Sequence, residues 1–186
     1  MQAKLHFFQA QSGHTSARLE FSDGRSVHLH SGLSPERESE SLLDVDIWAN
    51  TVVVLGVGLG YQLDNINFGP AKRVILVDVH LDLLQRCQQR LRKRIDQVAC
   101  VPTSQIHALQ AALRSEPSAT LQVIRHPASL RAYPSVYESI ETALLSARPP
   151  ANNSKSQPKK ILLMQGRYFL EQELSEAFHH NALVNP

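Results

Sequence analysis

Three glycines spaced two apart, Gly56, Gly58 and Gly60, follow the apolar run Val52-Val53-Val54-Leu55. Glycine in such a place lets a strand turn sharply and lets a ligand approach the main chain. A helix starting after the turn offers free N–H groups to a polar or anionic ligand. Asp78 comes eighteen residues after Gly60, at the end of the next β-branched run. At the carboxyl end of a parallel strand an acid accepts hydrogen bonds from ribose hydroxyls. The chemistry within reach is recognition of a nucleotide-type or nucleoside-type small molecule. A turn of the same shape with no ligand is the alternative.

Spacing separates the cofactor classes. A dinucleotide fingerprint wants its third glycine at position 61, where Tyr61 stands instead. Gly-x-Gly-x-Gly followed by a strand-end acid is similar to the S-adenosylmethionine-binding pattern of methyltransferases. The run Thr120–Ile124 argues the other way. In many nucleic-acid and amide methyltransferases the equivalent strand ends in Asp or Asn, Pro, Pro and an aromatic residue. Here it leads into Arg125-His126-Pro127-Ala128-Ser129. A cationic Arg125 at the crevice, with His126 beside it, would meet an anion such as phosphate.

Nine histidines raise the question of a metal, but no pair stands with a carboxylate at a compact ligand spacing, so no metal site is expected. His28 and His30 alternate along a strand; His30 reads as a pocket residue or a structural hydrogen-bonder. His179 and His180 suit a helix C-terminus through the dipole alone. Cys87 falls on an apolar helical stripe and reads as a core thiol, and with Cys100 it makes no disulfide framework. Asp64 is expected to face solvent. Arg86, Arg90, Arg92, Lys93 and Arg94 form a basic cluster without interleaved aromatics, the pattern of a solvated helix face and not of a nucleic-acid surface. Glu36, Glu38, Glu40, Asp44 and Asp46 give an acidic counter-patch, and self-association between the two patches is conceivable.

The elements that must position these groups follow from periodicity. Lys4–Gln9, Ala17–Phe21 and Ser26–His30 alternate as short strands, with Asp23-Gly24 in a hairpin turn. Ser34-Pro35 with Glu36 and Glu38 starts a short helix that closes at Asp44 to Ile47. Thr51–Leu55, Arg73–Val77, Val98–Val101 and Thr120–Ile124 read as strands. Between them lie helices at Asp82–Ile95 and Ser104–Leu113, and Pro127–Ala147 is one helix or a pair broken at Tyr133-Pro134. Strands separated by helices predict an α/β, Rossmann-like sheet, mainly parallel, with helices on both faces and a small antiparallel hairpin unit in front. Residues 148–159 read as a Pro/Ser/Asn-rich linker. Lys160–Met164 and Tyr168–His179 read as a fresh βα unit.

A chain of 186 residues, 42% apolar and 19% charged, suffices to bury a core. Its formal charge of +2 does not by itself imply nucleic acid. No apolar run approaches the about 18 residues of a membrane span, and the opening residues lack the pattern of a signal peptide. The expected compartment is the cytoplasm.

Several segments, in order, resemble one family. His30-Ser-Gly-Leu-Ser-Pro35-Glu-Arg-Glu38, Gly56-Val-Gly-Leu-Gly-Tyr61, His126-Pro-Ala-Ser and Tyr133-Pro-Ser-Val-Tyr137 resemble the N-terminal domain of spore-maturation-type (CgeB-like) bacterial glycosyltransferases. That domain is akin to the motility accessory factor proteins of flagellin glycosylation. Lys160-Ile-Leu-Leu-Met and Phe169-Leu-Glu-Gln-Glu173-Leu resemble the start of the transferase domain. The resemblance implies an N-terminal unit at 1–48, a Rossmann-like domain at 49–147, and the opening of a nucleotide-sugar-dependent domain at 160–186. It implies an accessory or ligand-binding role, without full sugar transfer from these residues alone. An S-adenosylmethionine-dependent methyltransferase and a non-catalytic interaction domain are the other readings. The candidate cofactor-binding residues are Gly56, Gly58, Gly60, Tyr61, Asp78, His30, Arg125 and His126. Nucleotide sugar and S-adenosylmethionine are the candidate ligands.

Overall fold

Alternation and one tight turn build the first sheet. β1 (Ala3–Gln9) pairs antiparallel with β2 (Thr15–Phe21), Leu5 opposite Leu19 and Phe7 opposite Ala17. β2 pairs with β3 (Ser26–His28) across the turn at Asp23-Gly24. There the Asp23 carboxylate accepts the Arg25 N–H at 3.0 Å, and Gly24 has φ +84°. Leu29 still donates its N–H to the Ala17 carbonyl, but the strand ends at His28, earlier than the expected His30. The computed structural model describes residues 3–42, 45–69, 71–92, 98–114 and 120–146.

The helix expected from Ser34 to Asp44–Ile47 is instead a 3-10 helix, Pro35–Leu42. The Ser31 hydroxyl, not that of Ser34, accepts the N–H groups of Leu33 and Ser34, at 3.1 and 3.2 Å. Glu38 reaches back to Ser31 N–H at 2.7 Å, so its charge answers a local donor and not a long helix dipole.

Four parallel strands form the second sheet: β4 (Thr51–Leu55), β5 (Arg73–Asp78), β6 (Val98–Pro102) and β7 (Leu121–Arg125), in the order β6-β5-β4-β7. All of β4 and β5 from Val74 onward is buried, as a sheet covered on both faces requires. The half-buried β6 lies at an edge. Helix α1 (Leu81–Leu91) buries Leu83, Leu84, Cys87 and Leu91 and packs on β5 and β6. α2 (Ile106–Arg114) packs on β6 and on α4 (Pro134–Ser146). The expected break at Tyr133-Pro134 separates α4 from α3 (Pro127–Ala132). The architecture is α/β and Rossmann-like, with the antiparallel unit in front. Among the described residues, no helix is long and apolar enough to cross a membrane. The linker 148–159, the 160–186 unit, Lys93–Ile95, Asp44, His179 and His180 lie outside the described residues.

The sequence order of the strands creates a switch point. The chain leaves β4 for β5 and β6 on one side, then returns to place β7 on the other. In open sheets the crevice between two such neighbours, at their carboxyl ends, is the usual place for a ligand. Here Gly56 follows β4 and His126 follows β7, so the glycine turn and the Arg125-His126 segment face each other. At the amino end the same two strands are clamped. Gln122 donates from Nε2 to the Asp46 carbonyl at 2.9 Å and accepts the Trp48 N–H at 3.2 Å. Gln122→Ala leaves that segment without either bond, and we expect a loss of about 1–2 kcal/mol, measured by urea unfolding followed by circular dichroism.

Candidate functional site

The turn after β4 is left-handed at all three glycines, with φ of +68° at Gly56, +48° at Gly58 and +81° at Gly60. Their missing side chains make room for other parts of the same chain. A Cβ at Gly56 would collide with Ser129 of α3, and one at Gly58 with the His30 ring. One at Gly60 would come within 2.8 Å of the Cys87 sulfur on α1.

His30 is the central group, with none of its surface exposed. Its Nε2 lies 2.6 Å from the Leu59 amide nitrogen, and its Nδ1 lies 2.5 Å from Glu38 Oε2. A backbone N–H can only donate, so Nε2 is the acceptor and the neutral ring carries its proton on Nδ1, donated to Glu38. The ring meets Tyr61 edge-on, centroids 5.4 Å apart, and lies 5.1 Å from the His126 ring at an interplanar angle of 29°. The Ser16 hydroxyl holds the His30 carbonyl at 3.1 Å.

His126 hydrogen-bonds Ser129 through Nδ1 at 2.7 Å, while its buried Nε2 has no hydrogen-bond partner. Burial first, and the neighbouring His30 second, hold this imidazole well below the ordinary histidine range. His126 N–H donates to the Leu55 carbonyl and Gly56 N–H to that of Val77, so main chain joins both sides of the crevice.

Asp78 is 1% exposed, and both its oxygens are engaged. Oδ2 accepts the Val57 N–H at 2.8 Å and Oδ1 accepts that of His80 at 2.9 Å. Burial raises its pKa, and these two amides oppose the rise. Burial also lowers the pKa of His80, against the attraction of Asp78. The His80 Nε2 meets the Tyr133 hydroxyl at 2.8 Å. Gln62 closes the turn from the other side, donating to the Val57 carbonyl at 3.1 Å.

Tyr61 reaches away from the crevice. Its hydroxyl donates to the Thr15 carbonyl at 2.8 Å, and the Arg90 guanidinium lies 4.2 Å over its ring. That arginine is held by Asp64 in a two-point pair, which corrects the expectation that Asp64 simply faces solvent. Arg86 lies 4.3 Å over the Phe7 ring, and Phe21 packs on Tyr133 at 5.6 Å. Contacts from β1, β2 and the segment after β3 thus lay the antiparallel unit against the carboxyl end of the parallel sheet. Arg125 does not present a bare cation to the crevice: Glu141 of α4 pairs with it through two nitrogens. His28 is exposed and stands edge-on to Phe8.

His30, Glu38 and His126 form the donor set of a zinc site, with ligand atoms within 4.8 Å of one another. The hydrogen bonds weigh against that use. A cation on Nδ1 of His30 would move the proton to Nε2, where it would face the Leu59 N–H. A cation on Nε2 would have to displace the Leu59 amide itself. Cys87 offers no nucleophile, since burial pushes its thiol far up.

Sequence reasoning placed Gly56, Gly58, Gly60, Tyr61, Asp78, His30, Arg125 and His126 at one end of the sheet; the structure brings the glycines, Asp78, His30 and His126 together there, whereas Tyr61 turns its hydroxyl to Thr15 and Arg125 is taken by Glu141. That reasoning missed Glu38 as the partner of His30, and Ser129 and Cys87 as the groups that fill the turn. The eight-residue interval from His30 to Glu38 was visible, but only a chain folding back on itself makes it a contact. Comparison with protein-family models, curated proteins and solved structures finds no match.

Two measurements check this geometry. Gly58→Ala meets both the left-handed backbone and the His30 ring, and should cost about 2–4 kcal/mol in urea unfolding. Gly24→Ala, left-handed but in open space, should cost about 1–2 kcal/mol. Separately, His126 stays neutral when folded but binds a proton when unfolded below about pH 6.5. Its contribution is complete above that pH and fades as pH falls toward the depressed folded value. His126→Asn should therefore flatten, without abolishing, the fall of stability between about pH 6.5 and about pH 5 relative to the parent protein, because the variant still carries the similar contribution of His80.

Proposed function

We propose that this Rossmann-like domain is a non-catalytic accessory module of a sugar-transferring protein, and that its nucleotide-type turn is occupied by its own N-terminal unit. One observation carries this reading: the groups that would serve a ligand already serve the fold. Asp78 holds two backbone amides, Gly58 receives the His30 ring, and Arg125 is matched by Glu141. The sugar-transfer context rests on the resemblance of the His30–Glu38, Gly56–Tyr61 and Tyr133–Tyr137 segments to the spore-maturation-type glycosyltransferases.

The methyl-transfer reading requires Asp78 to release an amide and the turn to shed His30. Both steps uncover buried polar groups, each costing about 1–3 kcal/mol. A module that binds protein partners needs neither step and is compatible with the same packing.

Calorimetry tests the proposal. Titrate the chain with S-adenosylmethionine, S-adenosylhomocysteine and a panel of nucleotide sugars. We expect no heat from the first two, and any nucleotide-sugar affinity to survive Asp78→Ala. Micromolar affinity for S-adenosylmethionine that disappears in an Asp78→Ala variant of native circular dichroism would overturn it in favour of methyl transfer.

A further inference from the structure

From the open edge of β1, we infer that the chain pairs with a second copy of itself: β1 lies antiparallel against β1 about a two-fold axis at Phe7, and the two three-stranded sheets become one. The inference goes beyond the accessory-module reading and does not depend on the sugar-transfer context.

The direction of the main-chain groups follows from β2. Leu29 N–H donates to the Ala17 carbonyl and Phe21 N–H to that of Arg25, so the odd residues of β2 spend their main chain on the β3 side. In an antiparallel ladder consecutive residues point their N–H and C=O to opposite sides. Ser16, Arg18 and Glu20 therefore bond β1, through their partners Phe8, His6 and Lys4. Leu5, Phe7 and Gln9 aim their main-chain groups outward, and β1 is the last strand on that side. Among the described residues no hydrogen-bond partner meets those groups. Sheets ordinarily blunt such an edge with proline, a bulge, shortness or a covering segment. Here β3 has three residues, β6 ends in Pro102, and β7 is flanked by the Asp46–Trp48 segment that Gln122 holds. β1 runs for seven residues with neither proline nor glycine.

The occupant that fits this edge is the edge itself. Outward-facing residues must meet outward-facing residues, and the Ala3 N–H is already directed to the Tyr133 hydroxyl. The register that pairs all the rest puts Phe7 opposite Phe7 of the second copy, and Leu5 opposite its Gln9. Each of these facing pairs exchanges both N–H···O=C bonds. Between them His6 falls opposite Phe8, in the closer position where cross-strand aromatic pairs contribute. Lys4 falls opposite Ala10, so no like charges face each other. A register shifted by two residues sets His6 against its own copy and calls on the occupied Ala3 N–H.

The side chains agree. Leu5 and Phe7 are half-buried at the rim of an apolar row whose inner members, Ala17, Leu19 and Phe21, are buried. A second copy continues that row across the axis. Arg86 is exposed over Phe7, so pairing brings two guanidiniums toward the axis, a repulsion that salt relieves. An association of the basic helix with the acidic patch near Glu36 has the opposite salt dependence. The two-fold arrangement closes on itself and stops at a dimer. A single strand pair is smaller than the about 1,200–2,000 Å² of a standard interface, which places it among weak associations.

Sedimentation equilibrium of the full chain, from about 10 μM to about 1 mM, tests the pairing. We expect a reversible monomer–dimer equilibrium that does not weaken between about 50 mM and about 500 mM salt. Gln9→Pro removes an outward N–H at an exposed position and leaves the β1–β2 ladder whole. Within the monomer it gives up only the side-chain bond to the Gly13 carbonyl, 3.3 Å long. It should raise the dimer dissociation constant at least about tenfold while circular dichroism stays native. Residue-resolved amide exchange reads the register in the parent chain without any variant. The Leu5, Phe7 and Gln9 amides should exchange fast in dilute solution and slow as concentration rises, whereas those of His6 and Phe8 stay protected throughout. A chain that remains monomeric across the whole range overturns the proposal. A dimer that Gln9→Pro leaves unchanged, that salt dissociates, or that protects none of those three amides does so as well. If Gln9→Pro does not fold, the exchange pattern decides alone.

Discussion

One imidazole between an amide and a carboxylate organises this molecule. His30 accepts from Leu59 and donates to Glu38, so both ring nitrogens are committed and the tautomer is determined. The ring needs a flat, unobstructed seat, which is why position 58 has no side chain. It also needs a wall, which Tyr61 supplies edge-on while anchoring itself to Thr15. The antiparallel sheet, the 3-10 helix and the loop after β4 thus depend on a single buried ring. A hydrogen bond in such a site is worth more intact than its average value implies, because its loss strands donors and acceptors away from water.

The same logic extends to the rest of the carboxyl end. Asp78 ties the turn to β5, Gln62 ties it to its own helical exit, and Ser129 fills the gap beside Gly56. In a sheet that receives a nucleotide, polar groups of this kind point outward and are satisfied by ligand or water. Here they point at main chain. The hollow characteristic of the switch point has become part of the interior, and the buried His126 Nε2 and Gln62 Oε1 are among the described groups left without a hydrogen-bond partner. Such a group is where a packed interior is easiest to perturb.

Much of the architecture was legible in the residues. Uninterrupted apolar runs, largely β-branched, in β4 and β5 announced a doubly covered parallel sheet, and Asp23-Gly24 announced the first hairpin. Proline at 134 separated α3 from α4. The glycine spacing correctly located a close approach to the main chain, but spacing alone does not say what approaches. A ligand and a histidine leave the same signature, because both exclude a Cβ. The pairs Arg125–Glu141 and Asp64–Arg90 were hidden for a related reason: they join elements 16 and 26 residues apart, beyond any local period. Glu38 was visible as an acid near a helix start, and that local role concealed its longer reach.

The chain has a single tryptophan, Trp48, 47% exposed and held through its N–H by Gln122. It stands before the first residue of β4, at the opposite end of that strand from the glycine turn. Five residues of extended chain put the two roughly 16 Å apart. Its emission therefore observes the amino rim of the sheet and is remote from the crevice. Among the described residues, Tyr61, Tyr133 and Tyr137 all follow the carboxyl ends of the strands, so their near-ultraviolet signals, and not indole fluorescence, are the intrinsic optical witnesses of events at the turn.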